Sequence, residues 1–421
     1  MNKKNFMTGI RKAIFLLLAA ATVFTGCGQQ RASQTNLTKE TEQAADSINE
    51  SDDAITLSVA LFPYVPDVEY FEKVITDTWK RDASHDNVNL EFITDWDCYS
   101  SAEVPDEYDI VVLDAIYLRE YAEKGELLAV NETDIKDYED ILPFVREGLK
   151  VDGTTYGIPE MICANLFFYR SEDTDVAQAG NVDKLYEVMG SYEYTQAEPE
   201  KGKGLIIDMS SGTGNICLYL DAITDEKAVY SDFAQMPGLE NIDEGAVQSL
   251  NELILMAGET GAYYETSGSY DRAGWFGNGS GRAYIGYSES MAQMGVLDDV
   301  KVSTLSLADR EDIPLFYVDV AAVNSNLSKD EEKKGYALEL LNIIAGSDTM
   351  TQTIKRDNNC QFILPARSSC YLALKEDFPI YKQLEAIAQN SNNHVFRMGA
   401  DAHEYIKKAK EILPYYLLGD K

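Results

Sequence analysis

Two side chains in this 421-residue chain could together make a covalent reaction: the thiol of Cys163 and the carboxyl of Glu289. A cysteine attacks efficiently only as its thiolate, so a reactive one needs a base or a positive field beside it. The three His (His85, His394 and His403) are scattered, which argues against a Cys–His pair. A carboxylate can take that role if partial burial raises its pKa toward that of the thiol. Glu289 follows the glycine cluster Gly277-Asn278-Gly279-Ser280-Gly281 and a short strand that carries Tyr287, Ser288 and Glu289 to its end. Residue type alone leaves both open: Cys163 also fits a buried structural thiol, and Glu289 also fits an acid in the first turn of a helix.

The other cysteines narrow the field. Setting Cys27 aside, Cys98, Cys163, Cys217, Cys360 and Cys370 are an odd number, so they cannot all pair internally. Cys360 and Cys370 could close a short loop. No CxxC spacing occurs, and with so few His a zinc site is not expected. Cys98, next to Asp97 in a loop, is read as packing rather than as a second nucleophile.

Strands and helices alternate around these residues. Ile55 to Phe62 alternates as a strand and ends in Pro63-Tyr64-Val65-Pro66; Val68 to Arg81 then has helical period. Val88 to Thr94 is a second strand. Tyr108 to Asp114 is a third, an almost unbroken apolar run of the kind covered on both faces. A helix from about Ile116 to Glu123 closes at Gly125. Such alternation predicts a doubly wound α/β layer, in which ligands sit beyond the carboxyl ends of strands. Phe62, Tyr64, Asp97, Tyr99 and Asp114 all fall there, although Asp97 and Asp114 equally suit turns or helix caps.

Met161 to Arg170 is extended and resembles the first crossing between two lobes of a solute-binding protein. The body resembles the type II periplasmic-binding-protein fold: two α/β lobes with an interlobe cleft. Ile313 to Asn324 is the expected return strand, followed by amphipathic helices over Lys329 to Ala345 and Phe378 to Ala388. The implied division is 55–157 plus about 310–360 for lobe one, and 158–309 plus about 361–421 for lobe two.

Residues 1–27 read as a lipoprotein signal peptide. Lys3, Lys4, Arg11 and Lys12 precede an apolar stretch from Ala13 to Phe24, too short for a comfortable spanning helix. Phe24-Thr25-Gly26-Cys27 resembles a lipobox, with Cys27 the residue to be lipidated. Residues 28–54 are polar and predict a disordered tether. An exported protein, anchored to the cell membrane and facing outward, is expected. The net charge of −35 would repel nucleic acid and anionic membrane surfaces, and favours cationic or neutral small molecules. The 26 Tyr, 15 Phe and 3 Trp suit stacking against a ring or sugar.

Taken in order, Tyr64-Val65-Pro66-Asp67, Asp95-Trp96-Asp97-Cys98-Tyr99, Asp114, Gly157-Ile158-Pro159, Cys163 to Arg170, Gly286-Tyr287-Ser288-Glu289 and Tyr317-Val318-Asp319 resemble the thiaminase I (thiamine pyridinylase) family, from about Ile55 to Leu417. The resemblance implies that Cys163 is the nucleophile that adds to C6 of the thiamine pyrimidine and Glu289 the base that deprotonates it. It implies that Asp114 and Asp319 hold the aminopyrimidine and that Tyr64, Tyr99, Tyr270, Tyr287 and Tyr317 line the cleft. Thiazole would leave and an amine or other nucleophile would take its place, with no metal or organic cofactor. A monomer is expected. The rival reading is a lipid-anchored solute-binding protein delivering thiamine or a related molecule to an ABC importer; transport needs neither thiol nor base. An oligosaccharide binder is a third, suggested by the tyrosines.

Overall fold

The computed structural model describes residues 54–419, apart from Ser84 and Thr195. The leader, Cys27 and all of the tether but Ala54 lie outside the described residues. Thirteen strands are described: β1 (Ile55–Ala60), β2 (Val88–Ile93), β3 (Ile110–Asp114), β4 (Lys150–Val151), β5 (Thr154–Thr155), β6 (Ile158–Cys163), β7 (Leu166–Arg170), β8 (Lys201–Ile206), β9 (Gly281–Gly286), β10 (Val300–Ser303), β11 (Leu315–Val323), β12 (Leu364–Pro365) and β13 (His394–Val395). The larger sheet has the order β12-β6-β11-β3-β1-β2, with β13 added beside β11; the smaller is β10-β7-β9-β8, and β4 and β5 form a separate hairpin.

Local sequence explains the elements that matter. All five residues of β3 are buried, as a strand covered on both faces requires. The helix Val68–Asp82 starts where the Asp67 carboxylate accepts the Tyr70 amide, and it buries Phe71, Val74, Ile75 and Trp79 on one face. The second expected C-terminal helix begins at Tyr381 rather than Phe378. Pro379 disfavours helical geometry at the residue before it, and Phe378 is extended.

Strands β1, β2 and β3 are parallel, as expected of the alternating pattern. The sheet as a whole is mixed, because β11 runs antiparallel to both β3 and β6. Against the lobe boundary expected at 157/158, the chain changes sheets at Ala164-Asn165, between β6 and β7, and β12 and β13 also bond within the larger sheet. It returns through residues 304–314. There the helix Gly212–Lys227 holds the crossing: buried Asp225 accepts from Leu307 N at 2.7 Å, Ile313 N at 2.9 Å and Ser306 Oγ at 3.3 Å.

Candidate active site

Three neighbouring strands of the larger sheet bring the candidate residues together. In the β6–β11 ladder Cys163 faces Tyr317, and in the β11–β3 ladder Asp319 faces Asp114. Tyr317 and Asp319 are two residues apart and so share a face of the sheet. From the smaller sheet, Leu166 of β7 pairs with Gly286 of β9. Cys163 precedes Leu166 by three residues and Glu289 follows Gly286 by three, so both leave the ladder at the crossover end. A side chain at Gly286 would run into the Tyr284 ring.

Glu289 stands in the first turn of a short 3-10 helix, Ser288–Ser290. Its Oε1 accepts from Tyr270 Oη and its Oε2 from Ser288 Oγ, each at 3.3 Å. Burial pushes its carboxyl above the ordinary range, while its own backbone amide and those two hydroxyls hold it back. The Cys163 thiol is pushed well above its usual range, first by burial and then by the charges of Glu289, Asp319 and Asp114. One thiol and three carboxyls thus act on each other across the two sheets. These influences favour the protonated thiol.

The two aspartates differ in surroundings. Asp114 Oδ2 accepts a 2.6 Å bond from Tyr99 Oη and Oδ1 accepts the Ile116 amide at 3.0 Å. Burial raises Asp114 to about 6 and these donors limit the rise. Asp319 is pushed well above the carboxylate range by burial and by Asp114, Glu160 and Glu289. Hydroxyl and amide donors thus favour the ionised form of Asp114, whereas burial and neighbouring charges favour the protonated form of Asp319, the kind of divergence that paired carboxyls reach when their environments differ.

Two groups of aromatic rings surround these residues in sequence and register. Tyr287 and Tyr317 meet edge-on at 6.0 Å, and Tyr317 packs on Phe396 at 5.4 Å. A second group joins Phe62, Tyr64 and Tyr99 at 5.2–6.3 Å, and Tyr99 rests on Tyr117 at 5.4 Å. Tyr64 is 52% exposed at the rim, where its hydroxyl donates to Asp97 at 2.9 Å. Cys98 is fully buried beneath Asp114, whose amide donates to its sulfur at 3.4 Å. All five described cysteines are unpaired thiols, Cys360 and Cys370 included. An open hollow of about 500 Å³ lies elsewhere, beside Arg170 and Arg282, but Asp299 and Asp173 already pair those two cations.

Three groups at the site were missed from sequence. Tyr117 and Phe396 support the lining, but their contacts are long-range and leave no local signal. Glu160 precedes the crossover and reads like any polar residue within an apolar run.

Comparison with known proteins follows from this geometry. The Thiaminase-1 domain family matches residues 164–308. Thiaminase-1 of Paenibacillus thiaminolyticus is 41% identical over 377 residues, which cover 88% of this chain and 90% of that protein. Among solved structures, Clostridium botulinum thiaminase I in complex with thiamin is 42% identical, covers 86% of this chain and 99% of its own, and superposes with a TM-score of 0.83. Maltose-bound MalE3 of T. maritima, at 16% identity and a TM-score of 0.61, covers 87% of this chain and 96% of its own and is similar in fold alone: the two-lobed α/β architecture of type II binding proteins.

Proposed function

This chain belongs to the thiaminase I family, and we propose that it degrades thiamine by covalent catalysis, with Cys163 as nucleophile and Glu289 as base. Membership makes it a thiamine-degrading transferase. What supports the finer reading is one arrangement: Cys163 ends β6 beside Tyr317, Asp319 lies opposite Asp114 on the adjoining strands, and Glu289 follows the end of β9 where the chain crosses between the sheets.

In this reading the substrate completes the electrostatics. Burial and the negative charges of Glu289 and Asp114 keep the thiol of the free enzyme protonated; the fixed positive charge of the thiazolium opposes those charges and lowers the cost of ionising it. Glu289 accepts the thiol proton, and its raised pKa brings it nearer to that of the thiol it must deprotonate. Ionised Asp114 accepts from the exocyclic amine, while protonated Asp319 donates to a ring nitrogen and draws electron density away from C6. The sulfur–C6 bond forms, and the bond from the bridging methylene to the thiazolium nitrogen then breaks. Its electron pair leaves with neutral thiazole. An acceptor nucleophile adds to the methylene, the sulfur departs with its bonding pair, and the acceptor's proton returns through the carboxyls. Tyr99, Tyr287 and Tyr317 offer ring faces to the flat heterocycles.

Incubating the protein with thiamine and aniline tests this, with mass spectrometry reading free thiazole and the aniline adduct of the pyrimidine. Wild type should release thiazole and Cys163→Ser should not. Thiamine bound and recovered intact by the wild type would favour a passive carrier.

A further inference from the structure

Strand β6 carries one residue more than the strand it pairs with. Met161 faces Asp319 and Pro159 faces Val320, so Glu160 stands in the register break between them. Its backbone carbonyl accepts the Ala366 amide at 3.1 Å, which ties the bulge to the adjoining edge segment. Its side chain is 0% exposed, and neither carboxyl oxygen has a hydrogen-bond partner. Buried polar groups are almost always satisfied, so an unpartnered carboxyl at this depth calls for a cause. Burial alone pushes Glu160 up to about 8, leaving it a neutral acid near pH 7.

We propose that Glu160 is a positioning residue for Asp319: a carboxyl lodged in the bulge behind the cleft that keeps its neighbour in the hydrogen-donating form. This rests on the reading of Asp319 as donor to the aminopyrimidine. The groups that act on Asp319 are Asp114 from β3, Glu160 from β6 and Glu289 from the turn after β9. Near neutrality burial and the charge on Asp114 hold the Asp319 proton. As pH rises and Glu160 ionises, its new charge makes removal of the Asp319 proton harder. The bulge thus protects the donor at the pH where it would otherwise be lost.

The test is the dependence of kcat/KM for thiamine on pH, from about 6 to about 10, for wild type and Glu160→Gln. Thiamine affinity of Cys163→Ser, with and without Glu160→Gln, is measured over the same range. Glutamine keeps the shape and removes the charge. Near pH 6 the two enzymes should agree; above neutrality the alkaline limb of the Gln variant should fall earlier by about one unit, the scale on which a close like charge moves a carboxyl. Affinity in the Cys163→Ser background should weaken in the same window. Glu160→Asp, which keeps a carboxyl there, should recover part of the shift, and it carries the test if the Gln variant does not fold. Superimposable limbs, or a uniform loss at every pH, would overturn the role assigned to Glu160. Failure of wild type to consume thiamine would instead remove the underlying reading, and the affinity profiles would still judge Glu160.

Discussion

At the scale of single residues, Glu289 and Cys163 divide binding from chemistry. Glu289→Gln keeps the size of the side chain and one of the two oxygen acceptors that Tyr270 and Ser288 use but takes no proton, so kcat should fall about 10²–10⁴-fold with thiamine affinity retained, measured by steady-state turnover and calorimetry. Because burial raises the Glu289 pKa, the acid limb of kcat/KM should lie above the ordinary glutamate range, with activity rising as this carboxyl deprotonates. Cys163 should react with iodoacetamide more slowly than a simple thiol while the cleft is empty, since only the thiolate reacts. Cys163→Ser supplies the background rate, and faster labelling of the free protein than of a small thiol would contradict the electrostatics described. Glu160 has a stability signature as well. Its folded pKa of about 8 exceeds the unfolded value, so its neutral form favours the fold; that contribution is complete at low pH and is lost as pH rises toward 8. Thermal melts should find Glu160→Gln more stable than wild type at pH 7, by at most about 3 kcal/mol, with the gain gone near pH 4.

Elements decide how much of this was legible beforehand. The alternation Tyr317-Val318-Asp319 and the solid apolar run ending at Asp114 announce strands, and their polar members fall on a common face by period alone. That Asp319 would lie opposite Asp114 is a pairing across some two hundred residues, which no local pattern encodes. The extra residue in β6 is likewise invisible, because a bulge is defined by its partner strand. The crossing from β6 to β7 was readable from an extended run ending in Tyr169-Arg170, whereas the part of Asp225 in holding the return crossing was not, since its ligands are backbone amides. Asp225→Ala would leave those buried N–H groups unpaired, and a loss of about 2–4 kcal/mol is expected in urea titrations. A variant as stable as wild type would mean that the crossing is held by its apolar contacts instead.

For the molecule as a whole, a net charge of −35 attracts a cationic vitamin, so kcat/KM for thiamine should decline with added salt while kcat changes little. The proposed anchor predicts fatty-acid labelling that disappears in Cys27→Ala. The fold reading from sequence succeeded because two-lobed alternation is a property of the entire chain; the roles of Glu160 and Phe396 depend on contacts that form only after folding. One consequence of the crossover remains. Cys163 ends β6 and Leu166 begins β7, so the sulfur sits at the axle about which one sheet would swing against the other. A point on an axle hardly travels. The reagent would stay still while Tyr64, in the turn after β1 and so beside a strand three places out from β6, sweeps a wide arc, so substrate capture and bond making could be tuned by separate parts of a single motion.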